Sequence, residues 1–258
     1  VGRIGRIVGL FDEAHPVVFA PVATLSQFVL DHLRQSGAPV PADAKVIPVS
    51  LHPAFFGPDG APLGHGGLRT PELRALFVGR MELLKGPDTA IRGVANAVAA
   101  GANIQLTFAG LKQGEMRPQL EELATSLGIA DRITWAGTPV LSELIALYRN
   151  NDVFLFPSRI VEGLGVVNCE ALACGLPIIG TAHSGSAEVI IPGESGFRIE
   201  KDDHEAMGRY LAQFHFERNL LDQFSTNAPK TIQRFAPNNV LDILESELYR
   251  VLKNHPKP

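Results

Sequence analysis

Residues 73–86 read LRALFVGRMELLKG, and this stretch decides the fold. Its first seven residues are apolar apart from Arg74, too short for a helix and apolar on both faces, which is the mark of a strand buried on both sides. Gly79 ends that run and two cations follow, Arg80 and Lys85, before Gly86 and Pro87. Proline suits the first turn of a helix, where its missing N–H would have had no intrahelical partner. Ile91, Val94, Ala95 and Val98 then recur at i, i+3, i+4 and i+7, so residues 87–100 read as an amphipathic helix that Gly101 can end. A strand, a basic glycine turn and a helix make half of a βαβ unit.

Downstream the same alternation repeats. Strands are expected at 104–109 (IQLTFA), 132–136 (RITWA), 153–156 (VFLF), 177–180 (PIIG) and 196–199. Helices are expected at 117–127 with Pro118 near the start, at 141–149 with Leu141, Leu144, Ile145 and Tyr148 inward, at 165–174 and at 204–217. Continuous apolar strands each followed by a helix predict an α/β fold, a parallel sheet flanked by helices, with ligands beyond the carboxyl ends of its strands.

Upstream the pattern thins. Residues 17–21 and 45–49 (KVIPV) read as strands and 23–36 as a helix. Residues 53–72 are rich in Gly and Pro and read as a mobile linker. At the other end, 237–253 places Val240, Ile243, Leu244, Leu248 and Val251 at helical spacing, a terminal helix that must dock. The expected organisation is therefore 1–52, a remnant of a preceding domain; 53–72, linker; 73–220, the α/β domain; and 221–258, C-terminal helices.

Composition narrows the function classes. Of 258 residues 45% are hydrophobic and 19% charged, enough apolar material for a core. A formal charge of −4 gives no electrostatic case for nucleic acid. No apolar run approaches the ~18 residues of a membrane span, and residues 1–9 are too short for a secretory signal, so the expected location is the cytoplasm, including the inner membrane face as a peripheral protein. Cys169 and Cys174 sit five apart in one helical stretch, which suits neither zinc nor a redox pair, and they read as small buried hydrophobes.

Three constellations follow strands. In the first, Gly79, Arg80 and Lys85 precede a helix N-terminus, whose free N–H groups and dipole favour an anion; the alternative is two solvated surface cations. In the second, Glu162-Gly163-Leu164-Gly165-Val166 leads into a helix carrying Glu170. Exposed amides beside two carboxylates suit a phosphate and the hydroxyls of sugar and ribose; the plain alternative is two unrelated surface glutamates. The third is Ser184-Gly185-Ser186-Ala187-Glu188, a short helical start that Glu188 would cap or brace. His183 beside it reads as a packing or surface residue.

Taken in order, LFVGRMELLKG (76–86), the stretch from FAGLKQGEM to FLFPS (108–158) and EGLGVVNCEALACGLPIIGTAHSGSAEVI (162–190) resemble the C-terminal, donor-binding domain of family 4 glycosyltransferases, retaining enzymes of the GT-B fold. The resemblance implies a Rossmann-like domain that binds a nucleoside-diphosphate sugar. It implies that Gly79, Arg80 and Lys85 face the diphosphate, with Arg80 and Lys85 neutralising it, and that Glu162 holds the donor sugar. Amides around Gly163, Leu164, Gly165 and Val166 would face sugar and phosphate, Glu170 would hold the ribose, and the base would lie near Gly137 and Val140. Arg80, Lys85 and Glu162 would carry the catalysis, with no metal and no cofactor. The implied partners are the nucleotide sugar, a sugar or lipid-linked acceptor, and an N-terminal domain or partner chain for the acceptor side. This chain is then expected to be incomplete and inactive alone, with exposed apolar surface at 17–22, at 28–33 and on the terminal helix that favours dimers. The alternative is a non-catalytic nucleotide-sugar-binding module that works with a partner chain. One departure is that the family's Gly-Gly-x-Pro-Glu run is replaced here by Ser184 to Glu188.

Overall fold

The computed structural model describes residues 23–254 apart from positions 68, 112, 182 and 184. After a separate pair, β1 (Ala23–Thr24) and β2 (Lys45–Val46), six strands form one sheet: β3 (Leu73–Val78), β4 (Ile104–Ala109), β5 (Ile133–Trp135), β6 (Val153–Phe156), β7 (Ile178–Thr181) and β8 (Gly196–Ile199). Their spatial order is β5-β4-β3-β6-β7-β8 and every pairing is parallel. The chain works outward from β3 to β5 and then returns to the other side of β3 with β6. The order therefore reverses between β3 and β6, and a crevice opens there beyond the strand ends.

Helices α2 (Pro87–Ala99), α3 (Gln113–Ser126), α4 (Leu141–Asn150), α5 (Val166–Ala173), α6 (His204–Phe216) and α7 (Arg218–Thr231) cover the two faces. Period-two alternation along β3 sorts its side chains. Leu73, Ala75 and Phe77 join Ile91, Val94, Met207, Leu211 and Phe214 in one core, while Leu76 joins Phe154, Ile178, Tyr148, Cys169 and Leu172 in the other. Both cysteines are free and buried, and burial pushes each thiol up to about 12, so they behave as small apolar residues.

Before the sheet, β1 (Ala23–Thr24), α1 (Gln27–Gln35) and β2 (Lys45–Val46) make a small parallel βαβ turn. The strand read at 17–21 lies outside the described residues. After the sheet, α8 (Pro237–Asn254) closes the chain and pairs Arg250 with Asp43 at 2.7 Å. No described helix is long and apolar enough to cross a membrane.

Several local expectations are corrected. The stretch read as a linker is anchored: Phe55 is buried against Tyr148, the Gly64 N–H donates to the Ala173 carbonyl, and Arg69 reaches Asp152 at 2.8 Å. Glycine and proline content described its backbone, whereas these few side chains fix its position. Helix α3 starts four residues before Arg117, so Pro118 lies inside it rather than near its start. Leu141 is 38% exposed because it opens α4, and only Tyr148 is fully buried there. Helix α7 runs through residue 220, where a boundary was expected, and sets Leu221 and Ala228 into the two cores. In α1 Leu30 is buried, so 28–33 is not an exposed apolar face, whereas on α8 Leu241, Leu248 and Tyr249 are more than half exposed.

Candidate functional site

The loop after β3 holds one 3-10 turn, Leu83–Lys85, ending at Gly86. Gly86 has a left-handed φ of 71°, and a Cβ there would overlap the Pro157 carbonyl of the loop after β6. Glycine is thus what lets the two loops touch. Their side chains then meet: Lys85 Nζ lies 2.8 Å from Glu162 Oε1, and the Ser158 hydroxyl donates to the same oxygen at 2.6 Å. Both charged side chains are mostly covered, at 17% and 16% exposure, so the pair is poorly screened.

The third loop completes the floor. The Gly185 N–H donates to the Glu162 carbonyl at 2.8 Å, and a Cβ at Gly185 would overlap the Gly163 carbonyl. Thr181 Oγ1 donates to the Ser158 carbonyl at 2.8 Å, so the end of β7 carries the Glu162 loop. Glu188 does not cap its own short turn as expected. Its Oε1 accepts the Phe28 N–H at 2.7 Å, satisfying an amide that the first turn of α1 leaves without an intrahelical partner.

A crevice of about 200 Å³ results, lined by Phe77, Val78, Gly79, Arg80, Lys85, Phe156, Glu162, Gly165, Val166 and Val167. Gly165 is the N-cap of α5, so the first amides of that helix border the crevice. The structure therefore brings together Gly79, Arg80, Lys85, Glu162, Gly165 and Val166. Arg80 stands at the mouth, half exposed, with its guanidinium on Glu82 at 3.1 Å. Gly163, Leu164, Glu170, Gly137 and Val140 are not among the lining residues. Leu164 is a core residue. Gly163 lies under Val29 of α1. Gly137 accepts the Gly110 N–H through its carbonyl, and Val140 is the N-cap of α4, where its N–H donates to Glu143.

Glu170 faces α4, where the buried Tyr148 hydroxyl donates to its Oε2 at 2.9 Å. Burial pushes the Glu170 carboxyl up, and the Tyr148 hydrogen bond only partly opposes this. A carboxylate whose folded value is raised contributes stability below its ordinary range and loses it as pH rises through the folded value. Glu170→Gln, which keeps an acceptor for Tyr148, should therefore melt at or above the wild-type temperature at pH 7–8. A lower melting point at that pH, measured by calorimetry, would mean that the ionised group holds the fold together.

Sequence reasoning missed Arg159, Asp88 and Ser158, and it read Tyr148 as an inward residue without its bond to Glu170. Arg159 grips the Asp88 carboxylate of α2 with two nitrogens, at 2.7 and 2.8 Å. Its only signal was its place just after a strand in PSRIVEG. Among the described residues, no group of three or more His, Cys, Asp or Glu side chains is arranged to hold a metal ion.

Comparison with known proteins gives the chain's relatives. The family described as "Glycosyl transferases group 1" matches residues 65–231. A D-inositol 3-phosphate glycosyltransferase of Rhodococcus jostii is 32% identical over 186 residues, covering 70% of this chain and 41% of that protein. A putative colanic acid biosynthesis glycosyltransferase, WcaL, of Salmonella typhimurium is 28% identical over 193 residues, covering 72% of this chain and 47% of its own length. The chain thus spans less than half the length of these relatives. Among solved structures, sucrose-phosphate synthase of Thermosynechococcus elongatus superposes with a TM-score of 0.72 at 25% identity, over 90% of this chain and 58% of that one. Anabaena HepE, solved with UDP and glucose, gives 0.75 at 18% identity over 90% of this chain and 64% of its own, a likeness of fold.

Proposed function

The chain belongs to the group 1 glycosyl transferases, and from that premise we propose that it binds a nucleoside-diphosphate sugar in the crevice between β3 and β6 and supports transfer of the sugar to an acceptor with retention of configuration. The observation that carries this reading is the meeting of Lys85 and Glu162 at the switch point, beside the N-terminus of α5. A diphosphate needs a cation and converging amides, and a sugar needs a carboxylate acceptor. These residues supply all three within one small crevice.

In this reading Lys85 turns from Glu162 to the diphosphate as donor enters, and Glu162 takes sugar hydroxyls in its place. Arg80 closes over the phosphates from the mouth. Glu170 takes the ribose, and the backbone near Gly137 and Val140 takes the base. The bond from the anomeric carbon to the β-phosphate oxygen breaks with its electron pair going to the phosphate. Lys85 and Arg80 stabilise that charge, so neither a metal nor a cofactor is called for. The acceptor hydroxyl attacks from the face the diphosphate leaves and passes its proton to that phosphate.

All these groups lie on the donor side. The acceptor, a sugar or lipid-linked hydroxyl, would be placed by a second wall, which an N-terminal domain or a partner chain supplies. We therefore expect the 258-residue chain to bind donor without rapid transfer. A melting screen against UDP-, GDP- and ADP-sugars should show stabilisation of about 2.7 kcal/mol at 100 times the dissociation constant for the right donor. No stabilisation by any of them would remove the donor-site reading. Transfer to an acceptor panel at ~1 per second or faster would instead show that the chain completes its own acceptor site.

A further inference from the structure

Arg159 joins four segments through one side chain and its own amide. Nη1 and Nη2 hold Asp88, Nη2 also reaches Thr89 Oγ1 at 3.0 Å, and Nε donates to Asp202 Oδ1 at 2.5 Å. Nη1 further donates to the Leu83 carbonyl, and the Arg159 N–H donates to the Leu84 carbonyl at 2.8 Å. The loop after β3, the first turn of α2, the loop after β8 and the loop after β6 thus share one planar donor fork. Asp202 is the one described non-glycine residue with a positive φ, 63°. Backbone of that kind persists where surrounding contacts over-determine it.

The residues it ties are the neighbours of the donor groups. Leu83 and Leu84 belong to the same 3-10 turn as Lys85, and Arg159 precedes Glu162 by three residues. Lys85 carries a flexible four-carbon stem, so its reach to a phosphate depends on how firmly its backbone is held. Asp88 raises a second matter. It lies in the first turn of α2, at the helix end that favours anions. An unpaired carboxylate there would repel a diphosphate at Lys85. Burial pushes the Asp88 carboxyl up, but the hydrogen bonds and charge of Arg159 outweigh it and keep it ionised, so Arg159 offsets the Asp88 charge while sharing its fork with the half-exposed Asp202.

We propose that Arg159 is a positioning residue for diphosphate binding: it fixes the Lys85 turn against the Glu162 loop and offsets the Asp88 charge, without itself touching the donor. The proposal rests on the reading of Lys85 as a diphosphate ligand. Lysine cannot replace it, because a point charge cannot span the Asp88 carboxylate, Asp202 and the Leu83 carbonyl at once.

The test is calorimetric titration of the 258-residue chain with UDP, GDP and ADP and with the corresponding nucleosides. Arg159→Ala should weaken the preferred diphosphate at least ~10-fold and its nucleoside less than ~2-fold. Arg159→Lys, which keeps a cation in the same space, should show a smaller loss of the same selectivity, and it carries the test if the alanine variant fails to fold. In a Lys85→Ala background most of the Arg159→Ala loss should vanish, because the residue acts through Lys85. Undiminished diphosphate binding, equal loss for the nucleoside, or losses that simply add would overturn the proposal. If the wild-type chain binds none of the three diphosphates, the donor-site reading falls and the proposal falls with it; normal wild-type binding with unaffected variants removes the proposal alone.

Discussion

Asp152→Asn should destabilise the chain by about 3–5 kcal/mol at pH 7, the range for breaking a buried ion pair on one side, and lower its melting temperature by roughly 6–20 °C. Asp152 precedes β6 and its side chain is fully buried. Its Oδ2 accepts the Arg74 N–H at 2.8 Å and Arg74 Nε at 3.1 Å, and its Oδ1 accepts Arg74 Nη2 and Arg69 Nη1 at 3.0 and 2.8 Å. His65 lies 3.6 Å away. This one carboxylate joins the start of β6 to the start of β3 and to the stretch 65–69. Asparagine keeps the shape and loses the charge, leaving two largely covered guanidinium groups facing an amide. Burial pushes the Asp152 carboxyl up, but nearby His65 and the hydrogen bonds from Arg74 and Arg69 outweigh it and hold it well below the usual carboxylate range. A depressed carboxylate gives stability that is fully present above its unfolded value and lost as pH falls through the folded one. The gap between wild type and Asp152→Asn should therefore be widest at neutral pH and narrow steadily below about pH 4. Urea melts across pH 3 to 8 give the curve; a difference under about 1 kcal/mol at pH 7 would mean that the arginines find water or other partners.

That cluster marks the limit of what the sequence made legible. The strands of the sheet could be read because each is a short, mostly apolar run, and the central ones are apolar on both faces. The helices between them could be read because period 3.6 follows at once. Residues 104–109, 153–156 and 196–199 are strands with the expected bounds. The parallel arrangement follows from that alternation, and with it the strand ends at which to seek a site. Arg69, Asp152 and Arg159 were not legible, because a single charged residue in a loop looks the same whether water or a buried partner receives it. Only the return of the chain beside β3 brings position 152 to position 74. Glu170 shows a different limit. A spacing of eight residues says nothing of partners, and the fold pairs Glu162 with Lys85 and Glu170 with Tyr148. Helix α7 was expected only as part of the helical stretch 221–258, without bounds of its own, because Pro229 and its polar residues interrupt an apolar face that only three or four positions carry.

Lys85→Ala should weaken nucleoside-diphosphate binding by more than the ~1.5–3 kcal/mol usual for one charge-assisted contact, while nucleoside binding stays nearly unchanged. The excess has a definite source. In the wild type Lys85 Nζ sits on Glu162 Oε1, and the Ser158 hydroxyl shares that oxygen. Removing the amine deletes the cation and also leaves Glu162 with one neutral donor in a mostly covered position. An incoming diphosphate then meets an uncompensated negative charge across a crevice of about 200 Å³. At such separations, with the effective dielectric of a protein surface, like charges repel by a few kcal/mol. Lys85→Ala combined with Glu162→Gln should therefore bind the diphosphate better than Lys85→Ala alone, since the second change removes the repelling charge. It should still bind worse than wild type, because no cation replaces Lys85. Isothermal titration of the four proteins with the same diphosphate and nucleoside separates the contributions. If the double variant bound no better than Lys85→Ala, Glu162 would not be facing the phosphate region. If Lys85→Ala lost diphosphate and nucleoside affinity equally, the lysine would be serving the fold of the loop, and its pairing with Glu162 would be a structural contact.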